Sequence, residues 1–205
     1  MSIKKYLVQI YLKLLYSEVR LRKNNYLCGK VNKMKIAVFC SANNNIDPTY
    51  FNMAERLGKW IGEHGHTLIY GGGNSGLMEC IGKSVHEAGG RTIGVVPRIM
   101  EEGRRMSDYV DVEIPCEDLT DRKAIMMQQA DEFCALPGGI GTLDEVFTVA
   151  ASATIGYHHK RVTLYDVNGF WDSLIALLDD LQQKGMIRGD YHEYIHVKHI
   201  DSLNQ

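Results

Sequence analysis

From Lys35 onward, short apolar runs alternate with stretches of helical periodicity, and no β-hairpin turn signal separates any two of the runs. A chain of that kind buries its strands in a parallel sheet and covers both faces with helices, a doubly wound α/β architecture. The runs that read as strands are Lys35 to Cys40, Thr67 to Tyr70, Arg91 to Val96, Val110 to Ile114, Glu132 to Leu136, Arg161 to Tyr165 and a short one around Tyr194–Val197. Helices are expected from Asp47-Pro48 to about His64, Leu77 to about Ala88, Asp118 or Thr120 through Ala130, beyond Gly141 to about Thr154, and Phe170 to Lys184. The charged stretch Arg98 to Asp108 reads as a surface loop or lid. Ligands of such sheets bind beyond the carboxyl ends of the strands, near the switch in strand order. The loops at Ser41, Gly71, Arg98 and Gly138 all leave carboxyl ends, so they are expected at one rim.

Two of those loops are glycine-rich strand-to-helix turns. Gly71-Gly72-Gly73-Asn74-Ser75-Gly76 follows one strand, and Pro137-Gly138-Gly139-Ile140-Gly141-Thr142 follows another. Such a turn presents backbone N–H groups at the positive end of a helix dipole, where phosphate binds readily. Glu145 stands four residues beyond Gly141, about one helical turn away. An anion cradle beside a carboxylate suits a substrate with a phosphate and a centre that turns cationic. A plainer reading is equally consistent with the spacing: Thr142 and Glu145 form a capping box, and the glycines are only a tight loop. Arg122-Lys123 is either a solvated basic face or a pair of anion ligands. Arg98 is either a site cation or a loop charge, and Glu79 either lines a site or complements the dipole of its helix.

Other chemistries lack their motifs. No G-x-G-x-x-G follows the first strand, and there is no Walker A sequence, G-x-S-x-G or H-E-x-x-H, so neither a dinucleotide cofactor nor nucleoside triphosphate hydrolysis is expected. His192, His196 and His199 lie in a tail that reads as extended, where their spacing makes no ligand face, and no metal is expected. Nucleic acid is not expected as a partner. Cys28, Cys40, Cys80, Cys116 and Cys134 are scattered without a C-x-x-C and read as reduced core thiols of a cytoplasmic protein.

Charge divides the chain. Residues 1–33 carry eight Lys/Arg against Glu18, a net of +7, which leaves −9 for the rest of a chain whose total is −2. Tyr6 to Arg22 reads as a basic amphipathic helix, with Leu7, Ile10, Leu14 and Leu21 on one side. Residues 1–33 are expected to be an accessory segment, or the product of a start that truly lies at Met34, rather than a membrane anchor. The domain itself spans residues 34–205.

Taken in order, Tyr70-Gly71-Gly72-Gly73-x-x-Gly76-Leu77-Met78, Arg122-Lys123 and Pro137-Gly138-Gly139-x-Gly141-Thr142-x-x-Glu145 resemble the Lonely Guy family, the cytokinin riboside 5′-monophosphate phosphoribohydrolases often labelled lysine decarboxylases. The resemblance covers about Lys35 to the C-terminus. It implies a Rossmann-like homodimer that needs no cofactor and hydrolyses a nucleoside 5′-monophosphate to free base and ribose 5-phosphate. It assigns catalysis to Arg122 and Glu145. It assigns substrate and phosphate binding to Gly72, Gly73, Gly76, Arg98, Lys123, Gly138, Gly139, Ile140, Gly141 and Thr142. The chemistry is consistent with that assignment, because a carboxylate stabilises an oxocarbenium-like state or activates the attacking water. The chain departs from the family pattern at Glu79, where glycine is usual, in the loop Ser41-Ala42-Asn43, and at Ala151-Ser152 and Lys160-Arg161. The base is therefore left open.

Two rivals are retained. One is a nucleotide or molybdenum-cofactor carrier on the same fold, which binds without cleaving. The other is the decarboxylase of the label, which needs pyridoxal phosphate on a lysine such as Lys83, Lys123 or Lys160.

Overall fold

A computed structural model describes residues 33–99 and 105–204. The basic helix expected over Tyr6–Arg22 lies outside the described residues. Strands β1 (Lys35–Phe39), β2 (Thr67–Tyr70), β3 (Arg91–Pro97), β4 (Val112–Cys116), β5 (Glu132–Ala135), β6 (Val162–Asp166) and β7 (Ile195–His199) form one parallel sheet in the order β4-β3-β2-β1-β5-β6-β7. Among the described residues there are five α-helices: α1 (Pro48–Glu63), α2 (Gly76–Glu87), α3 (Leu119–Gln129), α4 (Ile140–Thr154) and α5 (Asp172–Gln183). The α/β, Rossmann-like architecture expected from the alternation is the one observed.

The period-2 alternation of β1 divides the core in two. Ala37 and Phe39 point into a cluster with Met126 of α3, Val146 and Val149 of α4 and Leu178 of α5. Ile36 and Val38 point the other way, into Met53, Leu57 and Ile61 of α1 and Leu77, Ile81 and Val85 of α2. Both faces of the central strands are thereby dry.

Two details differ from the sequence expectation. β4 begins at Val112 rather than Val110, because the preceding backbone is engaged in a turn. Thr92 Oγ1 accepts from the Asp111 amide at 2.9 Å and donates to the Tyr109 carbonyl, while the Val110 amide reaches Ser107. Pro115 is accommodated in β4 because this is an edge strand. After β7 the tail turns into a 3-10 helix, Ile200–Asn204, with Ile200 buried and Asp201 paired to Arg56 of α1 at 2.7 Å.

Helices α1 and α2 approach closely through glycines. A Cβ on Gly62 would lie 2.6 Å from the Ala88 Cβ, and one on Gly58 would lie 2.7 Å from that of Ser84. Gly62→Val is expected to cost about 2 kcal/mol of folding stability through overpacking, read as a lower midpoint in urea denaturation.

Candidate active site

β1 and β5 are neighbours, yet the chain leaves β1 toward β2 on one side and β5 toward β6 on the other. That seam is the switch point, and the loops beyond it frame a crevice. The loops are bonded to one another. The Leu136 amide donates to Phe39 O at 2.9 Å, Ser41 N to Pro137 O at 3.1 Å, and Leu77 N to Ser41 O at 2.8 Å. The Gly76 amide donates to Asn44 Oδ1 at 2.7 Å. Gly76 has φ +59°, and any Cβ there would strike the backbone of Ala42 and Asn43. The loops at Ser41, Gly71 and Gly138 thus meet at one rim, as the parallel strands require.

The crevice holds a cleft of about 320 Å³, lined among others by Ser41, Asn43, Gly71, Met78, Arg122, Gly139, Gly141, Thr142 and Glu145. Helix α4 starts at Ile140 with Gly139 as its N-cap, and no side chain caps it. The capping box is therefore not formed. Thr142 and Glu145 lie inside the helix, and Thr142 is buried. The first intrahelical bond is Leu143 N to Gly139 O, so the preceding amides remain to be satisfied from outside. Among the described residues a Cβ on Gly139 or Gly141 would meet nothing within 4 Å, so the helix start is open beside both glycines. Gly138 is different, since a Cβ there would overlap the Thr142 side chain.

Across the cleft stands Arg122, carried by α3. Asp118 caps that helix, its Oδ1 accepting from the amides of Thr120 and Asp121 at 2.8 Å. Arg122 Nη2 lies 3.7 Å from Glu145 Oε1, and the two side chains are only 12% and 13% exposed. The separation gives attraction without a hydrogen bond, so neither group is consumed by the other. Arg122 Nε is buried without a hydrogen-bond partner among the described residues. A Cβ on Gly71 would overlap the Arg122 guanidinium and lie 2.9 Å from Met78 Sδ. Gly71 was not singled out as a ligand residue, and its role is to make room for the arginine. The signal for it was its place as the first residue after a buried strand.

Burial pushes the Glu145 carboxyl up to about 7, with Asp144 adding to the rise and Arg122 and Lys123 opposing it. Beside it, burial and the Glu145 charge hold the Cys40 thiol well above its usual range. A carboxyl that titrates near neutral pH in a cleft is the kind of group an active site uses.

Other residues expected at the site have different work. Gly72 (φ +67°) lets the chain pass Val96, and Gly73 bridges to Met106; neither lines the cleft. Gly76 shapes the rim from behind, and Ile140 is exposed at its edge. Arg98 is exposed and paired with Glu117 at 2.8 Å. Lys123 donates to both oxygens of Asp144 at 2.7 Å. No lysine among the described residues lines the cleft: Lys83 pairs with Glu87, and Lys160 donates to the Met127 and Ala130 carbonyls. The residues present do not fit a Schiff-base cofactor.

Fold and site together define a Rossmann-like protein with an anion-cradling helix start facing a buried arginine–carboxylate pair. The family model described as "possible lysine decarboxylase" matches residues 78–202. A probable cytokinin riboside 5′-monophosphate phosphoribohydrolase of Oryza sativa subsp. japonica is 37% identical over 153 residues, covering 75% of this chain and 72% of that protein. A cytokinin riboside 5′-monophosphate phosphoribohydrolase of Arabidopsis thaliana is also 37% identical, covering 75% and 70%. Among solved structures, the molybdenum cofactor binding protein of Rippkaea orientalis superposes with a TM-score of 0.62 at 26% identity, covering 81% and 89%. The chain belongs to the Lonely Guy family.

Two outcomes follow from this geometry. Gly71→Ala is expected to displace Arg122 and weaken binding of inorganic phosphate in a calorimetric titration. Glu145→Gln is expected to stabilise the protein. Relative to an ordinary carboxyl at 4.5, wild-type stability falls as pH rises through about 7, where the buried group must ionise. The gain in the variant is therefore greatest at pH 8, about 3 kcal/mol at most, and absent at pH 4, which thermal melts at the two pH values would read.

Proposed function

We infer that this chain hydrolyses the N-glycosidic bond of a nucleoside 5′-monophosphate to free base and ribose 5-phosphate. The observation that carries the reading is the buried Arg122–Glu145 pair facing the open amides of the α4 start in one cleft. The family supports it, and the names of the relatives make cytokinin riboside 5′-monophosphate the substrate to test first, with ordinary nucleotides beside it.

In this reading the Gly139, Gly141 and Thr142 region of α4 grips the 5′-phosphate, as helix starts do. Arg122 supplies a second, charge-assisted donor set, to the phosphate or to the leaving base. The C1′–N bond breaks with its electron pair passing to the base nitrogen, water oxygen joins C1′, and the base takes up a proton from solvent, balanced by the one Glu145 later releases. Ionised Glu145 stabilises the positive charge that grows at C1′ and takes the proton from the entering water. A carrier that only holds an anion gains nothing from a buried carboxylate facing it, and for that reason the hydrolase is favoured over the cofactor-binding reading.

We further assign the phosphoribohydrolase unit to residues 34–205 and an accessory role to residues 1–33. The reading includes a homodimer in the cytoplasm. An apolar groove between α4 and α5, with Phe147, Ile155, Leu181 and Met186 along it, offers surface for a second copy. Cys40, Cys80 and Cys134 are reduced thiols. No helix among the described residues is long and apolar enough to cross a membrane.

The test is incubation with a panel of nucleoside monophosphates, followed by chromatography for free base. Release from at least one is expected, with kcat/KM falling as pH drops through about 7, because the reactive form of Glu145 is the ionised one. Glu145→Gln is expected to lower the rate about a hundredfold or more. Unchanged turnover in that variant would overturn the mechanism.

A further inference from the structure

Helix α3 carries Arg122 and rests on the core through Met126, with Ile125 and Met127 packed beside it. Met126 is its one buried residue, whereas α1 has six. Polar contacts pin it as well. At its carboxyl end Lys35 Nζ donates to Gln129 Oε1 at 3.0 Å, and Lys160 Nζ donates to the Met127 and Ala130 carbonyls. Its amino-terminal half, the half with Arg122, is tied across to α4 by Lys123, whose Nζ lies 2.7 Å from each oxygen of Asp144.

The two helices therefore face each other through two parallel pairs made of adjacent residues, Arg122 with Glu145 and Lys123 with Asp144. Consecutive helical residues point about 100° apart, so the pairs do not compete for one space. The inner pair lines the cleft, while the outer pair stands beyond it with Asp144 half exposed. The inner pair is long, at 3.7 Å, and cannot fix its own separation. The outer pair, short and engaging both carboxylate oxygens, can.

We propose that Lys123 and Asp144 are positioning residues for the hydrolysis inferred above: their ion pair clamps α3 to α4 and so sets where Arg122 stands relative to Glu145. The proposal rests on that hydrolase reading and replaces the expectation that Lys123 binds substrate phosphate. The clamp acts on Glu145 electrostatically as well. The charged and titratable groups facing Glu145 are Arg122 and Lys123 from α3, Asp144 from its own helix and Cys40 from the end of β1. Lys123 favours the ionised carboxyl and Asp144 opposes it.

The experiment compares wild type, K123M, K123R, D144N and the exchanged pair K123D/D144K on one nucleotide that wild type hydrolyses, over pH 5–9, with thermal melts of each. Both K123M and D144N are expected to lose about tenfold in kcat, as small displacements of catalytic groups do, with KM changed less than threefold. The acid limb of the profile moves up in K123M and down in D144N. K123R and the exchanged pair recover most of the lost rate. If K123M does not fold, D144N, K123R and the exchanged pair carry the same comparison. A rise in KM confined to K123M would overturn the proposal in favour of direct phosphate binding. Equal losses with no opposed shift of the acid limb would reduce the pair to a structural contact and overturn it too. Wild-type turnover with unaffected variants would sink the clamp alone, whereas absence of wild-type turnover on every nucleotide would sink the hydrolase reading and the clamp with it.

Discussion

The seam between β1 and β5 governs the rest of the molecule. Because the loops after β1 and β5 lead to opposite sides of that seam, they open a crevice between them and must satisfy their own backbone groups. They do so with each other, through Ser41, Pro137 and Leu77. A rim bonded in this way is stiff where a ligand must be met and empty where it must enter. The glycine at position 76 is the condition for it, since no larger residue lets α2 start so close to the loop after β1.

The same seam places a carboxylate where carboxylates are costly. Glu145 is buried beside Arg122 yet too far for a hydrogen bond, so the arginine only partly offsets desolvation. A closer pair would be more stable and would keep the carboxyl ionised into acid. It would also occupy the arginine donors that a phosphate or a leaving base needs. Reactivity near neutral pH and maximal folding stability are opposed here through a single side chain, a common feature of active sites.

What could be read in the sequence was whatever depends on near neighbours along the chain. Periodicity located the strands and helices of the sheet, and the turn chemistry located the two glycine loops. The partners of the charges were not legible. Lys123 and Arg98 looked like anion ligands, but Asp144 lies 21 residues from the first and Glu117 follows the second by 19, and those pairings exist only once helices and strands are stacked. The shift of β4 has the same origin, for it is set by a Thr92 hydroxyl reaching from the neighbouring strand. The capping-box spacing of Thr142 and Glu145 was misleading because α4 begins two residues before Thr142, at Ile140, which places both inside the helix. Gly71 stood among three glycines; its place directly after a buried strand set it apart, and the Arg122 guanidinium supplies the reason.

The departure at Glu79 has a physical reading as well. It sits in the first turn of α2, where the helix dipole favours a carboxylate, and it does not line the cleft. On that side the wall is Met78, with Ser41 and Asn43 from the loop after β1. The Ser41 hydroxyl and the Asn43 carbonyl accept from the amides of Asn43 and Asn45, at 3.0 and 2.9 Å, and are engaged in shaping their own loop. The Ser41 hydroxyl and the Asn43 amide nitrogen keep their donors, and beside them Met78 adds a flexible, polarisable thioether. In the hydrolase reading, the sugar phosphate is recognised by fixed charges and amides, while the base meets a mixed wall of hydroxyl, amide and thioether. A nucleotide should then be strongly preferred over its nucleoside, because removing the phosphate leaves oriented donors unpaired at the start of α4 and on Arg122.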